Sequence, residues 1–311
     1  MVMGDTIERS GTNAAVVKIH NKDKAIAVTV DSSANYCKSH PVSGGKQIVC
    51  ESWRNLISVG AKPIAITNCL NFGNPENPEI MGEFAENIQG IKEACEFLDY
   101  PVVSGNVSFY NGTNNNNIYP TPVIGGVGLI KNLKKIHSHR LKKIDSKLIV
   151  IGKTFGHLGQ SVYLNELYDL HDGMPPEVNL LNEKNNGEII LKLINLDIVN
   201  SVHDVSTGGI ILALAEMSIS SQIGVKILKP KKLSNLFEYY FGEDQSRYLV
   251  EIDQNNFSKI EKILKDNNIY FDTIGVTQKE YFELDKDLKI SVKELYDLNN
   301  RWYNKYNGFI S

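Results

Sequence analysis

Residues 44–84 read GGKQIVCESWRNLISVGAKPIAITNCLNFGNPENPEIMGEF, and this stretch decides the fold. It opens with a helical pattern that Gly60 is well suited to end. The apolar residues that share one face of that helix are Val49, Trp53, Leu56 and Ile57. A strand over 63–67 follows, and a second, longer helix begins near Pro78. Helix, strand and helix in succession predict an α/β fold.

The rest of the chain continues this alternation. Strands are predicted over 101–108 and 122–130, and the Lys-rich stretch 131–147 favours a solvated connector, with a phosphate-binding patch as the alternative. From residue 148 strands and helices alternate again, with a helix predicted over 188–196 and a strand over 247–252. We therefore predict an N-terminal domain at 1–132 and a C-terminal domain at 133–311.

Composition excludes several classes of protein. The chain has 311 residues and a net charge of −3, which argues against a general nucleic-acid binder. No apolar run approaches the roughly 18 to 20 residues that span a bilayer, and the N-terminus does not resemble a signal peptide. These features predict a cytoplasmic protein. The four cysteines contain no C-x-x-C pair, so we expect three small buried residues and one exposed thiol.

Three acidic or amide side chains form the first candidate site. Asp31 ends a predicted strand, and Glu51 and Asn55 stand four residues apart on one face of the first helix. Both helical side chains offer oxygen ligands to a hard cation. The alternative is an acid near a helix start beside a surface amide.

Amide-rich strand ends form the second candidate site. The loop that begins at Asn68 suits either a rigid polar turn or a nucleotide contact. Gly105 interrupts a strong strand, which indicates a bulge or a closely approaching ligand. Asn106 and Ser108 then face the same side and would suit magnesium and an anionic substrate. We expect the stretches around Asn68 and Asn106 to line one pocket shaped for a polyphosphate.

The third candidate site is the segment HDVSTGG at 203–209, where a strand ends and a helix begins. Free N–H groups at such a helix start can bind phosphate, although Ser206 could simply cap the helix. The chain has neither a P-loop nor a dinucleotide-binding fingerprint.

Four stretches resemble one family, the synthetase subunit of phosphoribosylformylglycinamidine synthase, in its C-terminal half. They are residues 44–84, PVVSGNVSFYNGTNNNNIYPTPVIGGVGLI (101–130), HDVSTGGIILALAEM (203–217) and EDQSRYLVEI (243–252). The resemblance implies a two-domain unit with an N-terminal half-barrel sheet, helices outside it, and a sandwich-like C-terminal α/β domain.

The resemblance also implies an activity. Such synthetases use ATP, Mg²⁺ and ammonia from glutamine to convert formylglycinamide ribonucleotide into its amidine in purine biosynthesis. The family's catalytic histidines belong to its first half, so no catalytic residue is carried over and the chain is expected to be incomplete alone. The alternative is a structural nucleotide-binding or scaffold unit without catalysis.

Site residues follow by the same resemblance. Asn68 and Gly105 would contact ATP, Asn106 would hold Mg²⁺ and Ser108 would contact the ribonucleotide. Many relatives have Asp where this chain has Asn68. In large relatives a second, structural nucleotide with magnesium is bound by residues that match Asp31, Glu51, Asn55, Asp204 and Ser206.

The implied partners are an N-terminal synthetase half, a glutaminase subunit and a small accessory subunit. A four-stranded half-barrel would leave an apolar face and open edges, so the isolated chain is expected to form a homodimer.

Overall fold

The computed structural model describes residues 4–9, 11–114, 116–230 and 235–308. Its N-terminal part contains a sheet of six strands in the order β1-β2-β3-β8-β4-β5, and β6 pairs with β7 in a short hairpin. The strands are β1 (Thr6–Glu8), β2 (Ala15–Lys18), β3 (Ala25–Asp31), β4 (Lys62–Asn71), β5 (Val102–Ser108), β6 (Gly112–Thr113), β7 (Asn116–Asn117) and β8 (Thr121–Ile130). The expected four-stranded sheet is therefore two strands wider, because β1 and β2 extend it beyond β3.

Only one face of this six-stranded sheet is covered by the described helices. Three helices pack there: α1 (Ala34–Ser39), α2 (Pro41–Ser58) and α3 (Pro78–Leu98). In β3, buried residues that end at Asp31 alternate with exposed Ile26, Val28 and Val30, the last being 70% exposed. Strand residues alternate between the two faces, so the opposite face is open and apolar.

Helix α2 begins three residues before the predicted Gly44. The ring of His40 accepts a hydrogen bond from the backbone N–H of Ser43 and caps the helix, and Pro41 is its first residue. The glycines are needed inside the helix instead. A Cβ on Gly45 would lie 2.3 Å from the carbonyl oxygen of Asn87, so its absence lets α2 and α3 pack closely.

A seven-stranded sheet forms the second part, in the order β10-β12-β9-β13-β11-β14-β15. Its strands are β9 (Lys147–Ile151), β10 (Ser201–Val205), β11 (Gly224–Ile227), β12 (Arg247–Ile252), β13 (Phe271–Gln278), β14 (Tyr281–Leu284) and β15 (Leu288–Ser291). The helices are α4 (Val162–Tyr168), α5 (Leu180–Asn195), α6 (Gly209–Ser221), α7 (Leu236–Phe241), α8 (Phe257–Asp266) and α9 (Val292–Tyr306). The two sheets lie on either side of the predicted boundary at 132/133.

Apolar side chains cover both faces of this second sheet. Ile149 and Val250 belong to one core with residues of α5 and α8, whereas Val150 and Leu249 belong to another with residues of α6 and α7. The first of these cores continues into α2 of the N-terminal part. There a Cβ on Gly187 would lie only 2.1 Å from the indole ring of Trp53. The predicted α/β class, with a one-sided sheet followed by a sandwich-like domain, is confirmed.

The Lys-rich stretch 131–147 is not simply a solvated connector. His139 is buried, and its ring centroid lies 5.1 Å from that of His203. Burial, followed by the charge of His203, lowers the pKa of His139 to about 3. The expectation of a solvated stretch is wrong because several residues between the lysines are buried, namely Ser138, His139, Leu141 and Ser146. The cysteine prediction is confirmed, since three thiols are buried and Cys69 is exposed.

No helix in the described ranges is long and apolar enough to cross a membrane.

Candidate functional site

The structure brings the predicted acidic residues together where the two sheets meet. Asp31 ends β3, and its two oxygens accept hydrogen bonds from Asn55 Nδ2 at 2.7 Å and Thr29 Oγ1 at 2.9 Å. Glu51 accepts a hydrogen bond from Gln47 Nε2 one turn earlier in α2, and Ser206 lies near enough to favour its charged form. Asp204 of β10 reaches the group from the second sheet, close enough to act on the charges of Asp31 and Glu51. We call Asp31, Glu51, Asn55, Asp204 and Ser206 the junction cluster.

Burial and mutual repulsion shape the charges of this cluster. Burial, and then the charge of Glu51, raises the pKa of Asp31 to about 8. Burial, and then the charge of Asp204, raises the pKa of Glu51 to about 7. Burial also pushes the pKa of Asp204 upward, but the hydrogen bond and charge of His203 hold it below its usual range. The cluster therefore gathers more acid than its own partners neutralise, which favours a bound cation.

The donor set of the junction cluster suits a hard cation. It consists of carboxylate, amide and hydroxyl oxygens, and Asp204 Oδ2 is buried without a hydrogen-bond partner in the described chain. However, no three His, Cys, Asp or Glu side chains of the described residues converge closely enough to hold a metal ion as they stand. Asn55 also turns its amide nitrogen, not its oxygen, toward Asp31. Cation binding therefore requires small side-chain rotations.

Two cavities border the junction cluster. One of about 470 Å³ is lined by Asp31, Asn55 and Asp204 and extends to His139 and His203. The other, of about 220 Å³, is lined mainly by hydroxyl and amide side chains. Ser206 lines both cavities. The cluster thus lies at the junction of two polar spaces, an arrangement suited to an extended polar ligand.

Ser206 does not cap the following helix. The N-cap of α6 is Gly208, which adopts a φ of 75°, so no side chain caps this helix. The hydroxyl of Ser206 therefore stays available to Glu51 and to both cavities. Of the two interpretations of this segment, the structure favours the one in which Ser206 faces a ligand site.

The segment EDQSR at 243–247 organises the loops around these cavities. Glu243 accepts hydrogen bonds from the backbone N–H groups of Val162 and Gly208, and it also bonds the hydroxyl of Tyr36. The neighbouring carboxylate of Asp244 accepts from the backbone N–H groups of three successive residues, 155–157. The motif is thus a set of acceptors that fixes loop backbone of the second part and holds the Tyr36 hydroxyl of the first.

Sequence reasoning missed the buried cation of this region, Arg54. Its guanidinium contacts Glu183 and Gln245, which are more than a hundred residues away in sequence. The sequence carried one signal for Arg54: it is a charged residue next to Trp53 and close to Leu56 and Ile57, which form the apolar face of this helix. The partners carried no comparable signal, because Glu183 lies in an amide-rich stretch typical of a loop.

The second predicted site is arranged differently from the expectation. Asn68 lies on the helix-covered face of its sheet and lines a groove with Leu70 and Ile91. Asn106 lies on the open face, where its Oδ1 is 3.4 Å from the thiol of Cys69. The two asparagines therefore face opposite sides, and the expectation that they line one pocket is wrong. In the pairing of β4 with β5, Gly105 and not Asn106 lies opposite Asn68, so Asn106 points to the other face.

Gly105 serves the protein itself at this position. A Cβ there would lie 2.1 Å from Asn68 Oδ1, so the amide of Asn68 occupies the space beside the strand. A bulge lies close by, between Ile66 and Thr67. Ser108, at the end of β5, bonds Asn111 Oδ1 at 3.3 Å and shares the open face with Asn106.

Comparisons with known proteins agree with this architecture. The family models for AIR synthase related proteins match residues 11–130 (N-terminal domain) and 143–285 (C-terminal domain). The chain is 55% identical over 305 residues to the phosphoribosylformylglycinamidine synthase subunit PurL of Pelagibacter ubique. It is 43% identical over 308 residues to the protein of the same name from Bradyrhizobium diazoefficiens. The matches cover 98% and 99% of this chain but 42% of each relative.

A solved structure of T. maritima PurL complexed with FGAR shares the fold. It matches 93% of this chain and 49% of that one, with a TM-score of 0.76 and 17% identity. The two family models together span most of the chain, from residue 11 to 285. The chain therefore belongs to the AIR synthase related protein family, and it spans less than half the length of the PurL relatives it matches.

Proposed function

We propose that this member of the AIR synthase related family acts as the C-terminal half of a phosphoribosylformylglycinamidine synthase. In this role it contributes to the ATP-dependent ligation that converts formylglycinamide ribonucleotide into its amidine. The observation that carries the proposal is 55% identity to a PurL subunit along 98% of the chain. The polar cavities around the junction cluster support a nucleotide-binding role.

In the proposed reaction ATP phosphorylates the amide oxygen of the ribonucleotide, and ammonia then displaces phosphate. This chemistry needs charge neutralisation and precise placement, but no protein nucleophile. Asn106 and Ser108, on the open face of β5, would hold a magnesium ion and the ribonucleotide. Asn68 and Gly105 face the helix-covered side of the sheet and are not part of this proposed site. Magnesium, when bound, would neutralise phosphate charge.

The open face of the first sheet supports the proposed partners. Ile26, Val28 and Val30 expose an apolar surface that an N-terminal synthetase half would cover, closing a barrel. An isolated chain would cover it with a second copy and form a homodimer. A glutaminase subunit, with a small accessory subunit, would deliver ammonia. The setting proposed for this assembly is the cytoplasm.

Reconstitution tests the ligase role. Purified chain with ribonucleotide, ATP and ammonium should release no ADP, and adding the N-terminal half of a PurL relative should start turnover. A matched mixture that lacks the ribonucleotide controls for background ATPase activity. Turnover by the chain alone would contradict the proposed incompleteness, and no turnover after complementation would contradict the ligase role.

A second candidate function is a structural nucleotide site without chemistry. The junction cluster favours it, because the carboxylates of Asp31, Glu51 and Asp204 lie near enough to act on one another's charges beside two polar cavities. ADP should then bind tightly only with Mg²⁺, and Glu51→Ala should abolish binding. Glu261→Ala, on the surface of α8, is the matched control. ADP binding that does not depend on Mg²⁺ or on Glu51 would argue against this role.

A further inference from the structure

Arg54 is a buried cation directly behind the junction cluster. Its side chain is completely inaccessible to solvent, although it belongs to the first part of the chain and reaches into the second. Nη1 donates hydrogen bonds to Glu183 Oε1 at 2.8 Å and to Gln245 Oε1 at 3.2 Å. A buried guanidinium keeps its charge, because it does not deprotonate in proteins.

The other side of the guanidinium faces the cluster. Nε lies 4.0 Å from Asp204 Oδ2, and among the described residues neither Nε nor Nη2 has a hydrogen-bond partner. Asp204 Oδ2 is also buried and lacks a partner there. A donor and an acceptor are therefore held just beyond hydrogen-bond distance. A shift of about 1 Å would bring Nε and Asp204 within bonding range.

We propose that Arg54 is a positioning residue for the cation and nucleotide bound at the junction cluster, an inference that rests on the proposed nucleotide-binding role. Its charge lies 4.0 Å from Asp204 and, together with that of His203, favours the ionised carboxylate. Its fork, anchored by Glu183 and Gln245, fixes the direction from which Asp204 presents its oxygen. Groups behind the direct ligands commonly tune metal affinity in this way.

The competing explanation is a purely structural ion pair between Arg54 and Glu183. The two explanations differ when both partners are replaced together. Removing one partner leaves a buried unpaired charge and should impair folding under either explanation. The double variant Arg54→Met, Glu183→Leu removes both charges and should remain folded, yet it takes the charge of Arg54 away from Asp204, which keeps only His203 beside it.

The experiment measures binding to the full chain, with no need for turnover. MgADP affinity is followed by calorimetry, and Mn²⁺ alone is followed by electron paramagnetic resonance. We expect the double variant to melt near the unmodified chain but to bind both probes about 10- to 100-fold more weakly. Arg54→Lys keeps the charge without the fork and should recover part of the affinity.

Each outcome decides the matter. Unchanged affinity for both probes in a folded double variant would overturn the positioning role and leave the proposed function intact. If the double variant does not fold, wild-type affinity in Arg54→Lys would overturn the role of the fork, and a weakened affinity would support it. Failure of the unmodified chain to bind either probe would overturn the proposed nucleotide site, and this inference with it.

Discussion

The two sheets differ in how their faces are covered. The seven-stranded sheet has an apolar core on each face, whereas the six-stranded sheet has helices on one face and bare valine and isoleucine side chains on the other. Monomeric proteins rarely leave an extended apolar surface in water. The difference indicates that the second part is completed by its own chain and the first part by another surface.

The comparison also locates the polar site. The junction cluster takes Asp31 from the covered face of the first sheet and Asp204 from the edge strand of the second. Helix α2 lies between the sheets and supplies Glu51 and Asn55. The site therefore depends on the covered sides of both sheets.

The largest expected difference in the free energy of unfolding is between two variants that place the same charge in the two sheets. Val250→Asp would bury an unpaired carboxylate in the second sheet and should cost more than about 4 kcal/mol, enough to abolish cooperative folding. Val28→Asp, on the open face, should cost less than about 1 kcal/mol in a chain kept monomeric by dilution. Urea unfolding followed by circular dichroism measures both. Similar losses for the two variants would show that the open face is not exposed in solution.

A second test concerns the core that joins the two parts. Trp53→Ala should cost about 3 to 5 kcal/mol, because the indole packs against α5 at Gly187. Trp302→Ala on α9 is the matched control, and it should stay within about 0.5 kcal/mol because Trp302 is 63% exposed. Guanidinium unfolding measures both. A Trp53 variant that unfolds in two separate steps would show that the sheets are stabilised independently.

The third prediction is a loss of stability with rising pH. Asp31 and Glu51 have pKa values raised to about 8 and about 7, so the folded state holds their protons more tightly than the unfolded state. Their stabilising contribution is complete below about pH 4 and is lost as pH rises toward 8. The pKa of Asp204 is lowered, so its effect falls below about pH 4, outside this range.

His203 acts in the same direction. Burial opposes its protonation, but hydrogen bonds and charges of Asp204 and Glu216 raise its pKa to about 9. Its contribution is complete below about pH 6.5 and is lost as pH rises through 9. Below about pH 6.5 the lowered pKa of His139 acts in the opposite direction. Denaturant unfolding between pH 7 and 9 should therefore show declining stability, and Asp31→Asn should flatten the decline. A profile that rises over this range would contradict the charge assignment.

The smallest expected effect is on thiol reactivity. Cys69 lies on the open sheet face, whereas the other three cysteines are buried. Ellman's reagent should therefore modify one thiol in the native chain and four in denaturant. Cys69→Ser should remove the native reaction, and Cys50→Ser is the matched control that should keep it. If a second copy covers the open face, the reaction should slow as protein concentration rises.

Apolar runs and periodic apolar patterns predicted elements that have buried faces. The strand predicted at 247–252 matches β12, and the helix predicted from Pro78 matches α3. Helix α5 begins at Leu180, eight residues before the predicted start, because Asn179 caps a first turn whose amides are typical of a loop. Helix α9 was missed because most of it is exposed and its polar residues show no clear boundary.

The site was predictable only where contacts are local in sequence. Glu51 and Asn55 share a helix face, and their spacing of four residues was enough to group them. The pairing of Arg54 with Glu183 spans 129 residues and depends on how the two sheets dock. The relation between Asn68 and Asn106 depends on the register of two strands, which a single sequence does not specify.

The long-range hydrogen bonds of Glu243 affect the order in which the protein folds. Its one carboxylate joins Val162, Gly208 and Tyr36, which are 81, 35 and 207 residues away along the chain. Closing such long loops costs conformational entropy that only later contacts repay, so we expect these loops to settle late in folding. The walls of the polar cavities would then be the last part of the molecule to order and the first to loosen under stress.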